Sequence, residues 1–239
     1  MASAFSSATV ATSLSGAGEP ESLSVTELIS YQPAFFVLHG LRCFGSAEDQ
    51  RLARTLGIPC EKVTEILKRL GSRGLVEHDP APFRGWNLTP RGRAIEHELT
   101  TSEVEESGVR DRLYHCYRSF MRLHTALLGV GHDWETRPVG DTHMLNSHRD
   151  AKYDAEVLSR LVGIHMGTKW VYVELAGLLE RFGVYEPRFS FALERALAGD
   201  TSYVTSSVDS YQSVWLQLHE DLLATLGISK DAGEPTVTS

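Results

Sequence analysis

Gln50–Leu75 reads QRLARTLGIPCEKVTEILKRLGSRGL, and its punctuation spells a short helix, a glycine turn and a second helix. Leu52, Ala53 and Leu56 recur at helical spacing and form the inner face of the first helix. In Leu56-Gly57-Ile58 the glycine supplies a positive φ and Ile58 turns back toward the core. Pro59 opens the next helix, where a missing N–H costs nothing. Val63, Ile66, Leu67 and Leu70 are its buried stripe, and Gly71 and Gly74 end it. Upstream, Phe35, Phe36, Leu38, Leu41 and Phe44 give another helical face, stopped by Gly45. Ser46 is the expected N-cap of the following helix, with Glu48 and Asp49 in its first turn. Downstream, Leu75-Val76-Glu77-His78 alternates as a strand, residues 79–85 form a turn-rich tip, and Trp86-Asn87-Leu88 returns. Thr89-Pro90 then caps and starts a further helix.

Helix, helix, glycine turn, helix and two-stranded hairpin is the order of a winged helix-turn-helix. Gln50–Leu75 resembles the helix-turn-helix of MarR-type bacterial regulators, and Leu88-Thr89-Pro90-Arg91-Gly92-Arg93 resembles the L-T-P-x-G-R exit from their wing. The likeness covers about 70 of the 239 residues. It implies double-stranded DNA as partner, with the third helix in the major groove, the wing on an adjacent groove or on phosphates, and a homodimer on a pseudo-palindrome. With the apolar stripe inward, the outer face of that helix presents Glu61, Lys62, Thr64, Glu65 and Lys68. Lys62 and Lys68 suit phosphates or guanine acceptors, and Thr64 suits a phosphate or a thymine methyl. Arg84 stands where such domains carry their wing arginine. Glu65 either accepts from cytosine N4 or repels the backbone.

The charge distribution agrees with that assignment. The chain carries −8 overall, with pI near 5.7, which excludes a generally basic nucleic-acid coat. Residues 31–100 hold ten Lys and Arg against eight acids, so this part is at +2 and the remainder at −10. Only the first part suits a polyanion. Hydrophobic residues at 42% and charged residues at 23% support a folded core, and no apolar run reaches the length of a membrane span. Cys43, Cys60 and Cys116 are odd in number and widely spaced, which fits buried thiols in a reducing, cytoplasmic setting rather than a disulfide framework. Residues 1–24 and 229–239 read as disordered tails, the first lacking both the basic start of a signal peptide and the arginines of a transit peptide.

From residue 101 onward the pattern is helical. Ser102 with Glu105 forms a capping box for a helix reaching about Leu128. Ser147 caps a second, to about Phe182; a third spans 188–198; Asp200 or Asp209 caps the stretch ending at Leu226. These make a four-helix-like bundle with Trp170, Tyr172, Tyr211 and Trp215 in its core. The 129–147 connection is long enough to suggest function, and it gathers Trp134, Arg137, His148, Arg149 and, just beyond it, Tyr153 as a candidate effector site. His132, His143, His148, His165 and His219 have no metal-ligand spacing, and no phosphate loop, nucleophile elbow or H-E-x-x-H motif is present.

The sequence therefore predicts a mainly α chain: an N-terminal winged helix (25–100, three helices plus a β-hairpin wing) followed by an all-α bundle (101–228). The expected function is sequence-specific transcriptional regulation, with dimerisation or small-effector sensing in the bundle and no cofactor, metal, membrane partner or catalysis. A winged-helix adaptor that contacts protein rather than DNA is the main rival. An enzyme centred on Trp134–Asp150 is the lesser one.

Overall fold

The apolar stripes become helices in the computed structural model, which describes residues 32–81 and 85–228. The expected tails and Arg84 lie outside those residues. The molecule is mainly helical.

The first unit starts with α1 (Gln32–Phe44), which buries Ala34, Val37, Leu38 and Leu41 and stops at Gly45 with φ +76°. Ser46 does not cap a helix. Ser46–Ala47 form a short strand, β1, and Glu48 takes the N-cap position without a side-chain bond. The reason is a partner strand: Ser46 pairs with Asn87 and Ala47 with Trp86. Next come α2 (Asp49–Leu56) and α3 (Cys60–Ser72), joined through Gly57 at φ +67°. Val63, Ile66, Leu67 and Leu70 are buried on α3, as the 3-4 spacing requires. A hairpin of β2 (Val76–Asp79) and β3 (Gly85–Leu88) follows, with Val76 opposite Leu88 and Asp79 opposite Gly85. The antiparallel sheet has the order β1-β3-β2.

Thr89 caps α4 (Pro90–Ser107), its hydroxyl oxygen accepting from the Gly92 N–H at 3.0 Å. Ser102 lies inside this helix, not at the start of one, so the expected boundary at residue 100 falls within α4. The stop is Gly108, in the left-handed region at φ +64°, where its N–H reaches back to Val104 and Glu105 carbonyls.

The rest is built on two long helices, α5 (Arg110–Glu135) and α6 (Ala151–Leu178). The sequence expectation of an all-α bundle joined by a 129–147 loop is corrected here. Helix α5 runs on through Trp134, and the link is a hairpin, β4 (Thr136–Val139) and β5 (Thr142–Leu145), turning at Gly140 with φ +60°. The cap of α6 is Asp150 rather than Ser147. A 3-10 turn (Glu180–Val184) leads to α7 (Tyr185–Leu197), and α8 (Tyr211–Leu226) is capped by Ser210 rather than by Asp209.

Phe120 stacks on Trp215 at 4.2 Å and Tyr172 on Phe189 at 4.6 Å, each such pair adding about 0.5–1.5 kcal/mol beyond its buried area. Tyr172, Tyr211 and Trp215 are core, as expected, but Trp170 is 45% exposed. Helix period explains the split: Val171, Tyr172 and Leu175 face inward, so Trp170 and Val173 face out. Buried apolar residues form two clusters, one in each part of the chain.

Candidate functional site

Helix α3 presents the expected outer face. Glu61 and Lys68 are exposed, while Lys62, Thr64 and Glu65 are partly covered. Glu65 is not a lone negative charge: it accepts from Lys62 Nζ at 3.1 Å and pairs with Arg69 at 2.6 Å. The Lys62 hydrogen bond and the Arg69 charge hold its carboxyl below the usual range. The Thr64 hydroxyl donates to Asp49, whose other oxygen accepts from Trp86 Nε1 at 2.7 Å. Asp49 thus ties the first turn of α2 to both α3 and β3, and it draws Thr64 away from a ligand facing outward. Arg69, which the apolar stripe does not reveal, belongs to the same charged surface. Its i,i+4 spacing from Glu65 was the available signal.

The candidate effector residues form a clamp around the β4–β5 hairpin. Trp134 is buried on α5, with its indole N–H donating to the Thr201 carbonyl at 3.3 Å and its ring 4.6 Å from His148. Arg137 pairs with Asp150 at 3.2 Å and lies over the Tyr153 ring. The Tyr153 hydroxyl sits 2.9 Å from the Asp133 carbonyl and 3.0 Å from that of Thr136. His148, held at φ +55°, reaches Asp154 at 3.1 Å. The structure brings these four together but leaves Arg149 exposed and outside the cluster. Ring contacts link the four, and their polar groups are taken up by neighbours: Asp150 and Asp154 at the start of α6 and the Asp133 and Thr136 carbonyls at the end of α5, which fixes the hairpin onto α6.

Between the two apolar clusters lies a buried polar seam that sequence reasoning missed. His39 of α1 has Glu96 of α4 at 2.7 Å on Nδ1 and Asp221 of α8 at 2.9 Å on Nε2. Cys43 Sγ is 3.5 Å from the same Nε2. Arg181, in the 3-10 turn, donates to Asp221, lies 2.8 Å from His39 Nε2, and pairs with Glu103 at 2.9 Å. Its other arm donates to Thr225 at 2.7 Å. Tyr185 donates to the second Asp221 oxygen at 2.9 Å. Burial works against a charge on Asp221, yet Arg181 and His39 hold its carboxyl well below the usual range. Burial and then Asp221 push the Tyr185 phenol well up. A cavity of about 200 Å³ opens on this seam, walled by Phe36, Phe44, Leu56 and Val184 as well as its polar groups. His39 and Asp221 stand 182 positions apart, beyond any local pattern. His39 and Cys43, and likewise Asp221 and Thr225, each four apart on one helix, are traces it left in the sequence.

No family model, curated protein or solved structure matches this chain. Among the described residues no helix is long and apolar enough to cross a membrane.

Proposed function

We propose that residues 25–100 form a MarR-like winged helix and that the chain is a sequence-specific regulator acting on double-stranded DNA. The observation that carries this reading is the arrangement of α3. Its apolar stripe is packed inward, its polar face is turned out, and a three-stranded β1-β3-β2 sheet stands beside it. On this reading α3 enters the major groove with Glu61, Lys62, Thr64, Glu65 and Lys68 toward the duplex, and Arg84 contacts a neighbouring groove.

The helical part supplies dimerisation. Met166, Trp170 and Val173 are 65%, 45% and 62% exposed, spaced 4 and 3 apart on α6. A stripe of this kind on a long helix suits a second copy of the chain, and a two-fold dimer matches half-sites one helical turn apart. A small effector is sensed within the helical part, between the Trp134–Asp150 segment and the long helices, where Trp134, Arg137, His148 and Tyr153 gather.

The adaptor reading has one observation in its favour: Thr64 and Glu65 already have partners, which leaves fewer atoms free for bases. Selection of the full-length chain against a random duplex library separates the two. A DNA regulator enriches one pseudo-palindromic motif; an adaptor enriches none.

A further inference from the structure

We propose that His39, Cys43 and Asp221 bind a zinc-class divalent ion at the junction between α1 and α8. The imidazole Nε2, the thiol Sγ and a carboxylate oxygen all lie within 4.8 Å of one another, and all three residues are buried. Zinc bonds of about 2.0–2.3 Å in a tetrahedron set ligand atoms about 3.3–3.8 Å apart. The Sγ to Nε2 separation of 3.5 Å already falls there, and the 2.9 Å between Nε2 and Asp221 has to open by about half an ångström.

Three further features are those of a metal site rather than of an ordinary polar contact. First, the i,i+4 spacing sets His39 and Cys43 one above the other on α1, so two ligands come from one rigid element. Second, the outer shell is built. Glu96 faces Nδ1, which fixes the proton there and turns Nε2 inward, and Glu96 is itself held by Thr100 at 2.8 Å. Tyr185 orients Asp221 in the same way from its far oxygen. Third, the three ligands all line the cavity of about 200 Å³, which leaves a fourth coordination position open to water or to a small ligand. A nitrogen, sulfur and oxygen set with one open position selects zinc over magnesium or calcium.

Arg181 is the built-in competitor. Its guanidinium lies against both His39 Nε2 and Asp221, where a positive charge balances the buried acids Glu96 and Asp221 and the nearby Glu103. When the ion enters, the planar guanidinium moves as a whole off His39 Nε2 and Asp221, gives up its bond to Thr225, and keeps Glu103 as its ion-pair partner. Two protons leave for solvent, one from the Cys43 thiol and one from the His39 Nε2 that faces Asp221; sulfur, nitrogen and oxygen then each donate a pair to the ion, and nothing is oxidised. Because two ligands belong to α1 and one to α8, the ion crosslinks the first unit to the helical part. Any effect of that crosslink on DNA rests on the function proposed above, whereas the binding itself does not.

The test is a titration of the full-length protein, without DNA, with Co(II) as the probe and a non-thiol reductant. The expected result is a thiolate-to-cobalt charge-transfer band that saturates at one ion per chain and is displaced by Zn(II). Cys43→Ser abolishes the band, Cys60→Ser and Cys116→Ser retain it, and Glu96→Gln weakens binding about 10–100-fold. X-ray absorption of the zinc-loaded wild-type chain needs no variant: one sulfur at about 2.3 Å, with nitrogen and oxygen at about 2.0–2.2 Å, is expected. A folded chain that shows no charge-transfer band, a band that survives Cys43→Ser, or a zinc shell without sulfur overturns the site. None of these results bears on operator binding.

Discussion

A Cβ atom placed on Gly92 would stand 1.9 Å from the carbonyl oxygen of Leu75. That carbonyl already accepts from the Thr89 N–H at 3.1 Å, so the start of α4 is pressed directly against the end of the α3 turn. The glycine of Leu88-Thr89-Pro90-Arg91-Gly92-Arg93 is therefore required by close backbone approach and not by an unusual φ. Gly92→Ala is expected to destabilise the chain by at least the upper end of the about 1–3 kcal/mol typical of overpacking, as read by urea unfolding. Thr89→Ala removes the cap together with the hydroxyl's bond to the Gly74 carbonyl and is expected to cost about 1–2 kcal/mol. Equal stability of Gly92→Ala and the wild type would mean that α4 does not pack here as described.

Glu65 bears on the proposed DNA face in a different way. Since it is shared by Lys62 and Arg69, Glu65→Ala takes a negative charge away from both cations on the surface proposed to face the duplex. Affinity for DNA of arbitrary sequence should rise, and the plot of log affinity against log salt should steepen by up to about 0.9 per cation that gains a phosphate. If Glu65 instead reads cytosine N4, the change costs about 1–3 kcal/mol at a single base pair and leaves the salt slope alone. Binding isotherms on specific and scrambled duplexes across a salt series tell these apart. An unchanged profile on both removes Glu65 from the interface.

The exposed side of α6 gives a third expectation. Trp170→Glu puts a charge in the middle of the Met166–Val173 stripe and should turn a dimer into a monomer in sedimentation equilibrium, with helix content preserved. A dimer of undiminished affinity in the variant would move the interface elsewhere.

Much of the first unit was legible in the sequence because each signal was local. Gly45, Gly57 and Gly108 all occupy the left-handed region at helix ends, and the α3 stripe is buried residue for residue. Gly108 was nonetheless hidden, since Ser102 and Glu105 gave an apparent capping box within a helix that Thr89 had already started. Ser46 misled for a related reason: its role was decided by β3, a strand distant in sequence. The β4–β5 hairpin was missed because β5 is wholly exposed and carries no alternating burial to read. The seam was least legible, since His39, Glu96, Arg181 and Asp221 come from four separate elements. Burial and pairing, which give those residues their chemistry, exist only once the two parts have packed together.

On the proposed function, the outer face of α3 and Arg84 touch DNA. The most direct test is the salt dependence of binding for the wild type and for the Lys62→Ala, Lys68→Ala, Arg84→Ala triple variant, with folding checked by circular dichroism. The expected result is a folded variant with strongly reduced affinity and a salt slope flatter by about 0.9 for each phosphate that is no longer neutralised. A folded variant with the wild-type slope and affinity would contradict it.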